Sequence, residues 1–298
     1  MAAKMSVTIV GPGSLGSALA RALNEAGIPV VEVVYRSAES GKRARALAKE
    51  VRARAVAFDE FCEQASFARP NGRGRPFPHV LCLCVGDSTI SSVAAEMAER
   101  GWWRGTVVFH SSGALASDEL SPLRRKGAKV ASVHPMMTFV RSSAGSMKGV
   151  PFALEGDKAA VAAARRLVEA LGGESFAINK KDKALYHALG AFVSPLIVAQ
   201  MAAVERIGRE LGLTPRQTRK IIAPILQQTI RNYLEHGPAA AFSGPIVRGD
   251  VETVRRNLEA LKRVRGAAEI YRALAKVSVE ELPARHRQGI KKAIEEAD

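Results

Sequence analysis

The stretch VTIVGPGSLGSALARALNEAGIPVVEVVYRS, residues 7–37, decides how the chain is read. Residues 7–10 are a short apolar run, residues 11–16 a glycine-rich turn, and residues 14–26 a segment rich in Ala and Leu at helical spacing that Gly27 stops. Residues 29–35 are β-branched and aromatic, the composition of a second strand. Strand, turn, helix and strand in this order form the opening of a parallel α/β layer, and the first turn is where its backbone can meet a ligand.

Gly11-Pro12-Gly13-Ser14-Leu15-Gly16 fits G-x-G-x-x-G, with a strand before it and a helix after it. The first glycine permits the tight turn, the second lets backbone approach a pyrophosphate, and the third lets helix and strand pack. Free N–H groups at the helix start then point at the phosphates. Gly11, Gly13, Ser14, Leu15 and Gly16 are therefore expected to bind a dinucleotide. An acidic residue about 20 positions on would bind the ribose 2′-hydroxyl of NAD. Here the second strand ends Tyr35-Arg36-Ser37. Arg36 can make paired, charge-assisted hydrogen bonds to a 2′-phosphate, and Ser37 can donate another. The expected cofactor is NADP(H).

Working outward, residues 80–85, 105–109, 129–133, 152–154 and 175–178 read as further strands, with helix-forming segments at 38–54 and 158–171. The fold class expected is α/β: a Rossmann, doubly wound, mainly parallel sheet, followed by an all-α C-terminal domain. Residues 68–79, rich in Pro, Gly and Arg, read as a loop. From Asn179 almost every segment is helical. The expected domains are thus 1–178, binding NADP, and 179–298, all-α, for substrate and dimerisation. A helix over 182–211 should kink at Pro195, a second should run from Thr214-Pro215 to His236-Gly237 with a kink at Pro224, and Asp250 can cap a third.

In an open α/β sheet, ligands gather at the carboxyl ends of strands. Val85, Gly86 and Asp87 follow one strand, and His110 and Ser111 follow the next; all five are expected at the cofactor. Ser112 and Gly113 should face substrate. His134 lies beyond a third strand and can position a carbonyl or relay a proton near neutral pH. Lys183 and His187 are four residues apart and share one helix face. The dipole at a helix start disfavours a charged lysine, so Lys183 is expected to give a proton as hydride arrives. Arg248, through its planar fork, could hold a substrate carboxylate.

The net charge of +15 invites a nucleic-acid reading, yet the excess is spread over both halves, with little aromatic interleaving and no zinc-finger spacing. Attraction of anionic small molecules is the plainer account. Cys82 and Cys84 lie two apart and should share one face of a buried strand, Cys62 stands alone, and no metal cluster is expected. No run of about 18 uncharged apolar residues occurs, so the expectation is a cytoplasmic protein that binds neither membrane nor nucleic acid.

Six motifs then carry a resemblance, in order and over nearly the whole chain: VTIVGPGSLGSALA (7–20), FHSSGAL (109–115), VASVHPMMTF (130–139), GVPFALEGD (149–157), KALYHALGAFVS (183–194) and FSGPIVRGD (242–250). Together they resemble a bacterial family of Rossmann-like oxidoreductases whose C-terminal helical domain is of unknown function. That family is similar to a superfamily holding pyrroline-5-carboxylate reductase, 3-hydroxyisobutyrate dehydrogenase and ketopantoate reductase. The resemblance implies a helical domain of the 6-phosphogluconate dehydrogenase C-terminal type that commonly builds a homodimer. It also aligns Lys183 with a catalytic lysine, and places His187 where an asparagine would stand. Ser194-Pro195 departs from the Ser-Asn usual in the family. The function expected is NADPH-dependent reduction of a small carboxylated carbonyl compound, a 2-oxo acid of the ketopantoate type. The alternatives are reduction of a cyclic imine of the pyrroline-carboxylate type and a noncatalytic NADP(H) sensor or scaffold.

Overall fold

The computed structural model describes residues 5–67, 80–140 and 146–296, and the loop expected at 68–79 lies outside them. Chain contacts divide the protein into two compact units, Met1–Ala191 and Phe192–Asp298. The boundary therefore falls later than the expected 178/179, because the helix that begins at Lys183 packs into the first unit.

The first unit is built on one eight-stranded sheet: β1 (Val7–Val10), β2 (Val30–Tyr35), β3 (Arg54–Ala57), β4 (Val80–Leu83), β5 (Val107–His110), β6 (Lys129–Pro135), β7 (Pro151–Gly156) and β8 (Glu174–Ala177). Their order is β3-β2-β1-β4-β5-β6-β7-β8. All neighbours run parallel except β6 and β7, which pair antiparallel with His134 opposite Ala153 and Ser132 opposite Glu155. Alternate residues of a strand face opposite layers. Ile9, Val33 and Cys82 enter a core with Leu19 and Leu23 of α1 (Ser14–Glu25) and Leu47 of α2 (Ala38–Glu50). Val10, Val34 and Leu83 enter the other, with Phe61 of α3 (Phe58–Phe67) and Met97 of α4 (Asp87–Arg100). The short α5 (Ser121–Arg125) joins the second core, and α6 (Lys158–Ala170) the first. Both faces are covered, which is why the parallel strands read as unbroken apolar runs.

Strand β3 is the element that sequence reading missed. Residues 51–54 looked like the tail of α2, but that helix ends at Glu50, and Arg52 turns the chain with φ of 58°. Only one residue of this short edge strand is fully buried, so the apolar pattern is faint.

Helix α7 (Lys183–Val193) ends the first unit, and α8 (Pro195–Glu210) opens the second. Ser194 between them, with φ −130° and ψ −88°, breaks the expected continuous helix where Pro195 withdraws its N–H. Helix α9 (Pro215–Ala241) starts as expected: the Thr214 hydroxyl accepts from the Gln217 N–H in a capping box. Its backbone stays helical at Pro224, and the real break is Gly237, at φ 76° and ψ 175°. After α10 (Pro245–Arg248), α11 (Val251–Leu261), α12 (Ala267–Glu281) and α13 (Arg287–Glu295) close on a core of Ile246, Val254, Leu258, Val279, Ile290 and Ile294.

Candidate active site

The chain reverses direction through the sheet between β1 and β4, so the turns after these strands form a crevice at their carboxyl ends. Gly11 sits at φ 100°, and a Cβ there would lie 2.6 Å from the Cys84 carbonyl oxygen. At Gly16 a Cβ would lie 2.1 Å from the Gly11 carbonyl oxygen. Both positions admit glycine alone. Gly13 is exposed, has only the Cys84 oxygen at 4.0 Å, and caps α1 without a side chain, which leaves the first turn open to a ligand. Ser14 and Leu15 begin that turn. Across the crevice, Val85 packs against Gly11 while Gly86 is open at the start of α4.

Arg36 stands at the end of β2, as expected, but its guanidinium is engaged: it pairs with Glu96 of α4 and lies 4.3 Å from the centre of the Phe58 ring. The Ser37 hydroxyl is committed too, accepting from the Ser40 N–H in a capping box at the start of α2.

The loop after β5 departs from expectation. His110 is fully buried; its Nδ1 accepts from the Ser112 N–H at 3.2 Å and its Nε2 lies 3.0 Å from the Ala116 carbonyl. Nε2 is therefore the protonated nitrogen, and burial drives the imidazole down to about 4. Both ring nitrogens are thus engaged inside the loop after β5, whose shape His110 holds. Ser112, expected at substrate, is engaged in the same loop. It is buried, its hydroxyl donates to Asp87 at 2.9 Å, and the same oxygen accepts from the N–H groups of Ala114 and Leu115. Ser111 reaches back to the Leu83 carbonyl, near the crevice.

Helix α7 lies along β6 in matched steps. Residues 183, 186, 187 and 190 share one helical face, and residues 132, 134 and 136 share one direction on the strand. Lys183 Nζ donates to Ser132 Oγ at 2.7 Å and to the Ser112 carbonyl at 2.8 Å. The Tyr186 hydroxyl is 3.0 Å from His134 Nδ1, and a Cβ at Gly190 would touch Met136 Sδ at 3.1 Å. Burial lowers Lys183 to about 8 against the charges of Glu155 and Asp87. His134 is pushed down to about 4, by burial first and by Lys183 second, and burial raises the Tyr186 phenol to about 12. The His134 and His187 rings lie 6.4 Å apart, and both close on Gly113, where a Cβ would come within 2.8 Å of each. The structure thus brings together Gly113, His134, Lys183 and His187. It adds Ser132 and Tyr186, which sequence reading passed over, although Tyr186 has the i+3 spacing from Lys183 that would have revealed it.

Arg248 belongs to the second unit and forms a two-nitrogen ion pair with Asp250 at 2.8 Å. Asp250 consequently stands at the start of α11 without capping it through its side chain. Cys82 of β4 and Cys84 just beyond it face the same core, and burial raises both thiols, Cys84 to about 12.

A parallel sheet with a glycine-rich first turn, followed by a helical unit, defines the class: a two-unit protein on a dinucleotide-binding type of fold. More particularly, residues 1–135 match the Rossmann-like domain model, and residues 150–277 match a domain of unknown function, DUF2520. No curated protein matches it. Among solved structures, it is similar to a Bacteroides fragilis protein assigned as an NADP oxidoreductase, at 20% identity and a TM-score of 0.72, over 92% of this chain and 97% of that one. A protein of Thermotoga maritima matches at 22% identity and 0.67, over 97% and 98% of the two chains. The reductive aminase of Aspergillus terreus, solved with NADPH and ethyl-5-oxohexanoate, matches at 16% identity and 0.61, over 97% and 99%. At these identities the likeness is one of fold.

Proposed function

We propose that the protein is an NADP(H)-dependent oxidoreductase that reduces a small carbonyl compound or imine by hydride transfer. One observation carries this reading: the glycine turn and the Lys183, Tyr186 and His134 cluster stand at the carboxyl ends of one parallel sheet, within a single unit. Gly11, Gly13 and Gly16 shape a turn that fits a pyrophosphate, with Arg36 beyond it for a 2′-phosphate. NADPH would supply the hydride; this chain's residues orient the acceptor and handle its proton.

A carboxylated 2-oxo acid is the first substrate class, favoured by the net charge of +15. A cyclic imine is the second, favoured because Ser112 and Arg248, the two residues expected to hold a carboxylate, are engaged with Asp87 and Asp250. The test is NADPH oxidation, read from the loss of reduced-nicotinamide absorbance, against 2-oxo acids, semialdehydes and cyclic imines. Turnover of one class names the substrate; tight NADPH binding without turnover across the panel favours a noncatalytic NADP(H) sensor.

The reading includes a homodimer through the helical unit. Helices α8 and α9 present Leu196, Val198, Ile221, Ile225, Tyr233 and Leu234 to solvent, more apolar side chain than an isolated surface usually exposes. The 31-residue stretch Lys180–Glu210 even satisfies the length and hydropathy of a membrane span. It is nonetheless broken at Ser194 and anchored at Lys183 in the first unit, which suits a second protein surface better than lipid.

A further inference from the structure

We propose that the Tyr186 hydroxyl, seated on His134, gives the substrate its proton and that Lys183 is a positioning residue; this rests on the reductase reading above. Lys183 is only 1% exposed, and its ammonium already holds the Ser112 carbonyl and the Ser132 hydroxyl. To reach a substrate it would have to give up both hydrogen bonds. Ser132 passes the tie onward, donating to the same Ser112 carbonyl at 3.2 Å. Lys183 therefore pins the loop after β5 to β6 and α7, and so sets where His134 and Tyr186 stand.

Tyr186 is placed differently. It is half-buried, its hydroxyl meets His134 Nδ1 at 3.0 Å, and its ring is held edge-on by Phe176 at 6.0 Å between centres. Lys183 Nζ lies 6.0 Å from the ring centre and makes its hydrogen bonds elsewhere, to Ser132 and the Ser112 carbonyl. With a bound NADPH supplying hydride to the carbon, the π pair would move to oxygen or nitrogen, which would take the Tyr186 proton. The phenolate recovers a proton from His134 Nδ1 while His134 Nε2 takes one from solvent, and the imidazole ends neutral in its other tautomer.

The groups facing this pair are Lys183 and His187 of α7, Asp87 of α4, His110 of β5 and Glu155 of β7. Above pH 8 a neutral Lys183 amine still has two N–H groups for its two acceptors. If it only positions, kcat/KM stays level between pH 7 and 9; if it is the donor, kcat/KM falls tenfold per pH unit above 8.

The experiment compares native protein with Tyr186→Phe, using the best substrate of the panel, with NADPH dissociation constants measured for both. We expect kcat/KM to fall a hundredfold or more in the variant, with NADPH affinity within threefold of native and a level native profile from pH 7 to 9. A loss smaller than tenfold, or a native profile that falls through pH 8, overturns the proposal. If Tyr186→Phe does not fold, His134→Asn, which keeps the phenol and removes its partner, is judged by the same thresholds. Native protein that binds no NADPH sinks the reductase reading instead, a result separate from either of these.

Discussion

Arg36 is paired with Glu96 across the carboxyl end of β2, with its guanidinium 4.3 Å from the centre of the Phe58 ring. The arginine expected to recognise a 2′-phosphate is thus held ready by an aromatic face and by a carboxylate that competes with the phosphate. Both side chains are substantially solvated, so the pair is worth only about 0.2 to 1 kcal/mol. Glu96→Gln should tighten NADPH binding by up to about fivefold and leave NADH unchanged. Arg36→Asp should weaken NADPH binding by about tenfold to a hundredfold, from loss of roughly 1.5 to 3 kcal/mol. Fluorescence titration of the two variants with both cofactors checks the pair of expectations.

Gly16 allows α1 to close on β1. Its Cβ position is 2.1 Å from the Gly11 oxygen in the turn and 3.1 Å from Cys84 Cβ just after β4. Gly16→Ala should therefore push α1 away, lowering stability by about 1 to 3 kcal/mol and weakening NADPH binding. Gly86→Ala, in open space at the start of α4, should leave stability unchanged. Thermal unfolding with and without NADPH distinguishes the two.

His110 makes the fold sensitive to acid. Its folded value is about 4 against an ordinary 6.5, so between these limits the unfolded chain binds the additional proton and stability falls as pH drops. The shift corresponds to roughly 3 kcal/mol lost by pH 4. His134, lowered to about 4 as well, acts in the same direction. Urea unfolding between pH 7 and 4 should show a steep loss for the native protein. In His110→Gln that slope should be shallower, on a stability already reduced by the altered loop.

Ile225 and Leu234, 70% and 75% exposed on α9, test the homodimer. Ile225→Asp and Leu234→Asp together should shift the molecular mass in solution from twice that of the chain to that of one chain. A native protein that sediments as a monomer at micromolar concentration would remove the dimer from the functional reading.

Much of the first unit was legible in the sequence because its signals are local. The glycine spacing at 11, 13 and 16 reports turn geometry that only glycine meets, and buried parallel strands write themselves as apolar runs such as residues 7–10 and 80–83. The cap at Thr214 and the shared face of Cys82 and Cys84 are equally local. What escaped was set by partners distant in the chain. Strand β3 is short and at an edge, so its pairing with β2 leaves little pattern to read. His110 and Ser112 were expected to face a ligand because both follow a strand. Only the packed loop shows that their polar atoms are taken by Ala116, Asp87 and their own neighbours.

By itself the sequence determined where backbone must turn, cap or lie buried, since those demands fall on single residues and their spacing. The tertiary structure decided which polar groups are spent and which stand open. Lys183 and His187 share a helix face in any helix, but the burial of one and the exposure of the other depend on β6 and the loop after β5, 50 to 70 residues away. A hydrogen-bond donor is satisfied by whatever acceptor folding brings within about 3 Å, and spacing along the chain does not contain that distance.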